Sequence, residues 1–99
     1  MTDESLMLCI KREDLDKAAI LYERYKKKLY QFFLYRNNND GERSEDCVQQ
    51  VFYQVIRYRH TYLEERNFRT WIYSIARNVQ YGEYQKQLPI GPSQFSRYV

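Results

Sequence analysis

Ser44-Glu45-Asp46-Cys47-Val48-Gln49-Gln50-Val51-Phe52-Tyr53-Gln54-Val55-Ile56-Arg57 is the stretch whose reading decides the fold. Val48, Val51, Phe52 and Val55 recur at i, i+3, i+4 and i+7, which gathers them on one side of an α-helix. Asp46, Gln49, Gln50, Tyr53 and Arg57 fall on or near the opposite side. Ser44 reads as the N-cap, with Glu45 and Asp46 against the positive helix end, and the helix is expected to reach about Tyr58. A stripe of this kind needs partners with the same period, and the flanking sequence supplies them.

Downstream, Asn67 can cap a helix in which Phe68, Trp71, Ile72, Ile75 and Val79 repeat the core spacing. Thr70, Tyr73, Arg77, Tyr81 and Tyr84 oppose that stripe, and Asn78 lies on its border. Upstream, Asn37-Asn38-Asn39-Asp40-Gly41 is a strong break, because these residue types tolerate turn conformations. Before it a helix is expected from about Asp14 to Tyr35, its core face formed by Leu15, Ala18, Tyr22, Tyr25, Leu29 and Phe32. A first helix from about Asp3 to Lys11 carries Leu6, Met7 and Ile10. The expectation is an all-α, compact bundle of about four helices over residues 1–87. Pro89, Gly91 and Pro92 mark residues 88–99 as a linker-like tail.

Length and composition agree. The chain has 99 residues, enough for one domain with a modest core. It is 43% hydrophobic and 29% charged, which is globular rather than disordered. Its formal net charge of +3 is small, but an acidic patch from Asp40 to Asp46 separates two basic segments, Lys11 to Lys28 and Arg57 to Lys86. Lys26, Lys27 and Lys28 read as a solvated face. The acidic N-terminus resembles neither a signal peptide nor a membrane span. With that, Cys9 and Cys47 read as reduced, small apolar side chains in a cytoplasmic protein.

Catalysis finds no support. His60 is the sole histidine, Cys9 and Cys47 lack a CxxC spacing, and there is no glycine-rich phosphate loop. Asp14 with Asp16, and Glu45 with Asp46, sit at expected helix starts, where the helix dipole explains them. A binding protein without metal or cofactor is expected. The stretch Arg57 to Tyr84 instead interleaves cations and aromatics. Arginines neutralise phosphates and aromatic faces stack unpaired bases, each base worth about 1–3 kcal/mol. Phe68 and Trp71 are core residues on spacing, whereas Tyr58 and Tyr62 suit either the core edge or a base contact.

Three blocks carry a resemblance. They are Leu21-Tyr22-Glu23-Arg24-Tyr25-Lys26-Lys27-Lys28-Leu29-Tyr30-Gln31-Phe32, then Ser44-Glu45-Asp46-Cys47-Val48-Gln49-Gln50-Val51-Phe52, then Phe68-Arg69-Thr70-Trp71-Ile72-Tyr73-Ser74-Ile75-Ala76-Arg77-Asn78-Val79. In this order and spacing, over about residues 4–86, the chain resembles region 2 of bacterial RNA polymerase sigma factors of the extracytoplasmic-function group. The corresponding patterns are LYxRYxxxLYxF, AEDLVQEVF and FRAWLYxIARN.

The resemblance implies a sigma factor domain that binds core RNA polymerase and recognises promoter −10 DNA on the non-template strand. Asp46, Gln49, Gln50 and Tyr53 would meet the clamp of the polymerase largest subunit, with Gln50 standing where the pattern has Glu. The loop from about His60 to Asn67 would accept a flipped base in a pocket lined by Tyr58, Tyr62, Ile75 and Asn78. Arg77 and Tyr81 would lie along the DNA; beside this, the cation–aromatic stretch itself offers Arg57, Arg59, His60 and Arg66 as backbone contacts around the loop. An anti-sigma factor is a further implied partner. Gly82 and Gln85 depart from the family's usual Asp and Arg, and the −35-reading second domain is expected to be absent. The alternative is a solitary protein-interaction module of the same fold that binds polymerase or an anti-sigma factor without promoter reading. An ordinary helix-turn-helix protein fits less well, because the loop from Arg59 to Arg66 is too long for that motif's turn.

Overall fold

The computed structural model describes residues 1–87, so the tail read as a linker lies outside the described residues. Four α-helices follow one another: α1 (Asp3–Lys11), α2 (Ala18–Arg36), α3 (Gly41–Arg57) and α4 (Phe68–Gln87). Single 3-10 turns at Leu15–Lys17 and Arg59–Thr61 lie before α2 and between α3 and α4. Among the described residues there is no strand, and no helix is long and apolar enough to cross a membrane.

The ends of α3 and α4 follow from local chemistry. Asn38 and Asn39 take left-handed backbone angles, φ 55° and 60°, which Asn tolerates better than most residues. They turn the chain so that Asp40 enters α3 extended, its carboxylate accepting the Arg43 amide at 3.0 Å. Asp40 is therefore the cap expected at Ser44, and α3 starts earlier than its apolar stripe suggests. Ser44 is buried and donates its hydroxyl to the Asp40 carbonyl. Gly41 opens the helix under the Tyr30 ring, where a β-carbon would stand 2.8 Å from the phenol oxygen. Asn67 caps α4 as expected, its side chain accepting from the Thr70 amide at 3.0 Å.

The core takes Leu6, Met7 and Ile10 from α1, Val48, Val51, Phe52 and Val55 from α3, and Phe68, Trp71 and Ile72 from α4, all as the spacing predicts. Helix α2 differs. It begins four residues later than expected, behind a 3-10 turn that leaves Leu15 exposed. Its buried side chains are Leu21, Tyr25, Leu29 and Phe33, while Ala18, Tyr22 and Phe32 are only partly covered. The cause is packing on several sides, since α2 touches α1, α3 and α4. Tyr22 turns its ring edge-on to Phe52 and Phe32 meets Tyr73, so apolar residues beside the ridge are used as well. Cys47, Tyr62 and Ala76 complete the core, and both cysteines are free thiols.

Helix α1 is fixed by polar groups as well as by its apolar face. Asp3 accepts from the Tyr25 phenol and from Arg24. Burial, reinforced by that carboxylate, holds the Tyr25 hydroxyl well above its ordinary pKa. Glu4 accepts the Phe68 amide at 2.8 Å, satisfying a donor at the start of α4 that has no partner within its own helix.

Candidate nucleic-acid and protein interface

Helices α3 and α4 leave an open groove of about 590 Å³ between them. From α3 and its end come Asp46, Gln50, Gln54 and Tyr58, and from α4 come Ile75, Asn78, Gly82, Glu83 and Lys86. Cys47 and Val79 close its base. Ile75, Asn78, Val79 and Gly82 are spaced three and four apart, so one face of α4 supplies its wall. The pattern at Gly82 has a structural counterpart, because nothing stands within 4 Å of where a β-carbon would sit. The groove is open there, and a larger residue would simply extend into it.

The groove is electrostatically mixed. Glu83 pairs with Arg43 at 3.2 Å and with Lys86 at 3.5 Å, and Asp46 adds an exposed carboxylate. Phosphates gain nothing from such a lining, whereas amide and hydroxyl donors or base edges can be met by Asn78, Gln50 and Gln54. Burial, with the Glu83 carboxylate nearby, pushes the Cys47 thiol up to about 11, which keeps it protonated at neutral pH.

The expected site residues fall into three places. Asp46, Gln50, Tyr58, Ile75 and Asn78 share the groove. Gln49 and the 56%-exposed Tyr53 are on the outer side of α3, with Gln49 lining a second cleft of about 440 Å³ against Tyr22, Lys26, Lys27 and Tyr30 of α2. Lys26 is tied to Glu23, while Lys27 and Lys28 are exposed. Arg66, Arg77 and Tyr81 are exposed outside the groove, and Arg57 stacks over the Tyr58 ring at 5.4 Å.

Tyr62 departs from the expectation. It is fully buried, its ring centroid 5.1 Å from Trp71 and 6.2 Å from Phe68, and its hydroxyl donates to the Arg66 carbonyl. A ring enclosed in this way has no face for a base to stack on, so Tyr62 braces the loop from within. Arg59 departs too. Its guanidinium donates to the Ile56 carbonyl at 2.7 Å and to Glu13 at 2.8 Å, and it is mostly covered. The exposed His60 reaches the other oxygen of Glu13 at 3.4 Å.

Gln54, Glu83 and Lys86 were not singled out by sequence, although Gln54 and Glu83 follow from Gln50 and Val79 by one helical turn. Lys11, whose ammonium donates to the Tyr62 carbonyl, and Glu13 lie about fifty residues away from the loop they hold, and no local pattern marks them. Among the described residues no group of three or more His, Cys, Asp or Glu side chains is arranged to hold a metal ion.

The arrangement has counterparts. Residues 21–88 match the sigma-70 region 2 family model. The extracytoplasmic-function sigma factor SigX of Bacillus subtilis is 37% identical over 71 residues, which are 72% of this chain and 36% of that protein. SigW of the same organism is 31% identical over 80 residues, covering 81% of this chain and 42% of SigW. The chain thus spans less than half the length of these curated relatives. A solved structure of an engineered region 2 of sigmaE in complex with GTAAAA superposes with a TM-score of 0.80 at 25% identity, over 88% of this chain and 90% of that one.

Proposed function

Because the chain belongs to the sigma-70 region 2 family, we propose that it docks on core RNA polymerase and takes up single-stranded promoter −10 DNA during transcription initiation. One observation carries this reading: the α3–α4 groove joins the exposed polar face of α3 to the amide of Asn78 beside Tyr58 and Ile75. The likeness to a region 2 domain held with GTAAAA supports the strand half of the proposal.

In this reading Asp46, Gln49, Gln50 and Tyr53 meet the clamp of the largest polymerase subunit. Polar groups and a tyrosine beside a buried stripe suit a protein interface with an aromatic anchor. A flipped base needs an apolar or aromatic wall and a hydrogen-bonding reader. Tyr58 and Ile75 are the wall and Asn78 the reader, while Tyr62 supports the loop from behind. Arg57, Arg66 and Arg77 neutralise phosphates without reading sequence. The domain acts by binding alone.

Two measurements test this. Capture of core polymerase by the Asp46→Ala/Gln49→Ala variant is expected to fall about tenfold, the loss of roughly 1.4 kcal/mol. Capture equal to wild type removes the docking face from α3. In the polymerase complex, Asn78→Ala should reduce the preference for GTAAAA over a scrambled strand with little change in salt dependence. Arg77→Ala should weaken both strands alike and lower the salt slope by about 0.7. If Asn78→Ala keeps full sequence preference, Asn78 does not read; if the wild-type domain shows no sequence preference while the polymerase contact holds, the domain is an interaction module.

A further inference from the structure

The contact between Glu13 and the 3-10 turn at Arg59–Thr61 has the form of a ligand in its site. One carboxylate oxygen of Glu13 lies 2.8 Å from the Arg59 Nη2, and its other oxygen lies 3.4 Å from the His60 Nε2. Two oxygens of one anion thus face two different side chains, as two unesterified phosphate oxygens would. The seat itself is built into the fold. Arg59 is anchored through Nη1 on the Ile56 carbonyl, its side chain is only 20% exposed, and its Nε is buried with no hydrogen-bond partner among the described residues.

Glu13 is held against this seat by unfavourable backbone geometry. Its φ of 77° is a left-handed conformation that residues with a β-carbon seldom adopt, and its amide is tied to the Ile10 carbonyl at 3.0 Å. Yet its side chain is 58% exposed, so it can leave without uncovering any core. The anion is replaceable and the Arg59 donor is fixed.

We infer that Arg59 and His60 form a phosphate seat which the chain's own Glu13 carboxylate fills, and that Glu13 thereby sets how tightly the loop takes a phosphodiester group of a single strand. This rests on the strand-binding reading above and adds its regulation. The Glu13 carboxylate must be displaced before a backbone phosphate can pair with Arg59, so the loop engages weakly until other contacts have brought the strand close. Arg59 is then a cation in reserve rather than a free surface charge.

The chain has a single histidine, so its imidazole NMR resonances report on the seat alone. Inorganic phosphate is titrated into the 99-residue protein while these resonances are followed, and binding of a GTAAAA strand is measured in parallel. Glu13→Gln and Glu13→Gly should both move the His60 resonances at lower phosphate concentration than wild type. Both should bind the strand about fivefold more tightly at about 0.1 M salt and steepen the salt slope by about 0.7, as one added single-strand phosphate contact does. Glu64→Gln, which removes the same charge from an exposed position of the same loop, sets the baseline for charge alone. Adding Arg59→Gln to Glu13→Gln should abolish both gains. Gains no larger than those of Glu64→Gln, or gains that survive Arg59→Gln, overturn the seat. A phosphate response with no strand binding by any variant upholds the seat and sinks the strand reading. Strand binding unaffected by Glu13, with no phosphate response at His60, does the reverse.

Discussion

Tyr62→Ala is expected to lose about 3–5 kcal/mol of folding stability, the range for emptying a buried aromatic site. The ring has no exposed surface and stands edge-on to Trp71 and Phe68, so its removal leaves a cavity at the junction of the loop and α4. Urea unfolding followed by far-ultraviolet circular dichroism measures this directly. Tyr62→Phe keeps the ring and should lose only about 1 kcal/mol, the worth of the hydroxyl's bond to the Arg66 carbonyl. The pair of variants separates the two roles open to this residue. A base-stacking tyrosine would lose strand binding on Tyr62→Ala while keeping its melting curve. A loss below about 1 kcal/mol for the alanine variant would return the ring to the surface.

Asn37→Leu should lose about 2–3 kcal/mol, close to the desolvation cost of one or two buried groups left without partners. Asn37 is buried at the end of α2, where its side-chain amide donates to the Phe33 carbonyl at 3.0 Å and to the Gln80 Oε1 at 2.9 Å. Its own oxygen accepts from the Gln80 Nε2 at 3.2 Å. Leucine fills similar space and satisfies none of these. Gln80→Leu alone should lose less, because Gln80 is only partly buried and Asn37 keeps the Phe33 carbonyl. Thermal unfolding of the two single variants and the double variant gives the coupling energy. Strict additivity of the losses would mean that the two amides act independently and would remove this pairing as a tie between α2 and α4.

The sequence specifies α3 and α4 legibly because each is buried along one side. Val48, Val51, Phe52 and Val55 are all covered, and the polar residues between them face outward. It specifies α2 less legibly because that helix has neighbours on several sides, and an apolar residue then occurs at nearly every turn position. Both Phe32 and Phe33 fit a core, and only the arrangement of the other helices selects Phe33 for full burial. Five expected site residues share one groove because α3 and α4 follow the helical period that places them. Tyr62 was ambiguous because an irregular loop has no period from which to read an inside and an outside. Glu13 was invisible for a different reason. Its partners, Arg59 and His60, lie 46 and 47 residues away, and an acidic residue after a helix has an ordinary local explanation in a solvated turn.

The Glu4 contact with the Phe68 amide spans 64 positions, and it sets an order of events during synthesis. A ribosome makes α1 before the other three helices of the bundle, yet the group that closes on Glu4 is added only at the beginning of α4. Until then Leu6, Met7 and Ile10 lack part of their final cover, and Asp3 can reach only Arg24 and Tyr25 of α2. The helix of this bundle that is made first is thus among the last to become native. A chain whose translation stalls inside the loop would carry an apolar helix without its cover from α4, and such a helix is open to chaperones and proteases. The completed bundle hides that helix by bringing it against the start of α4.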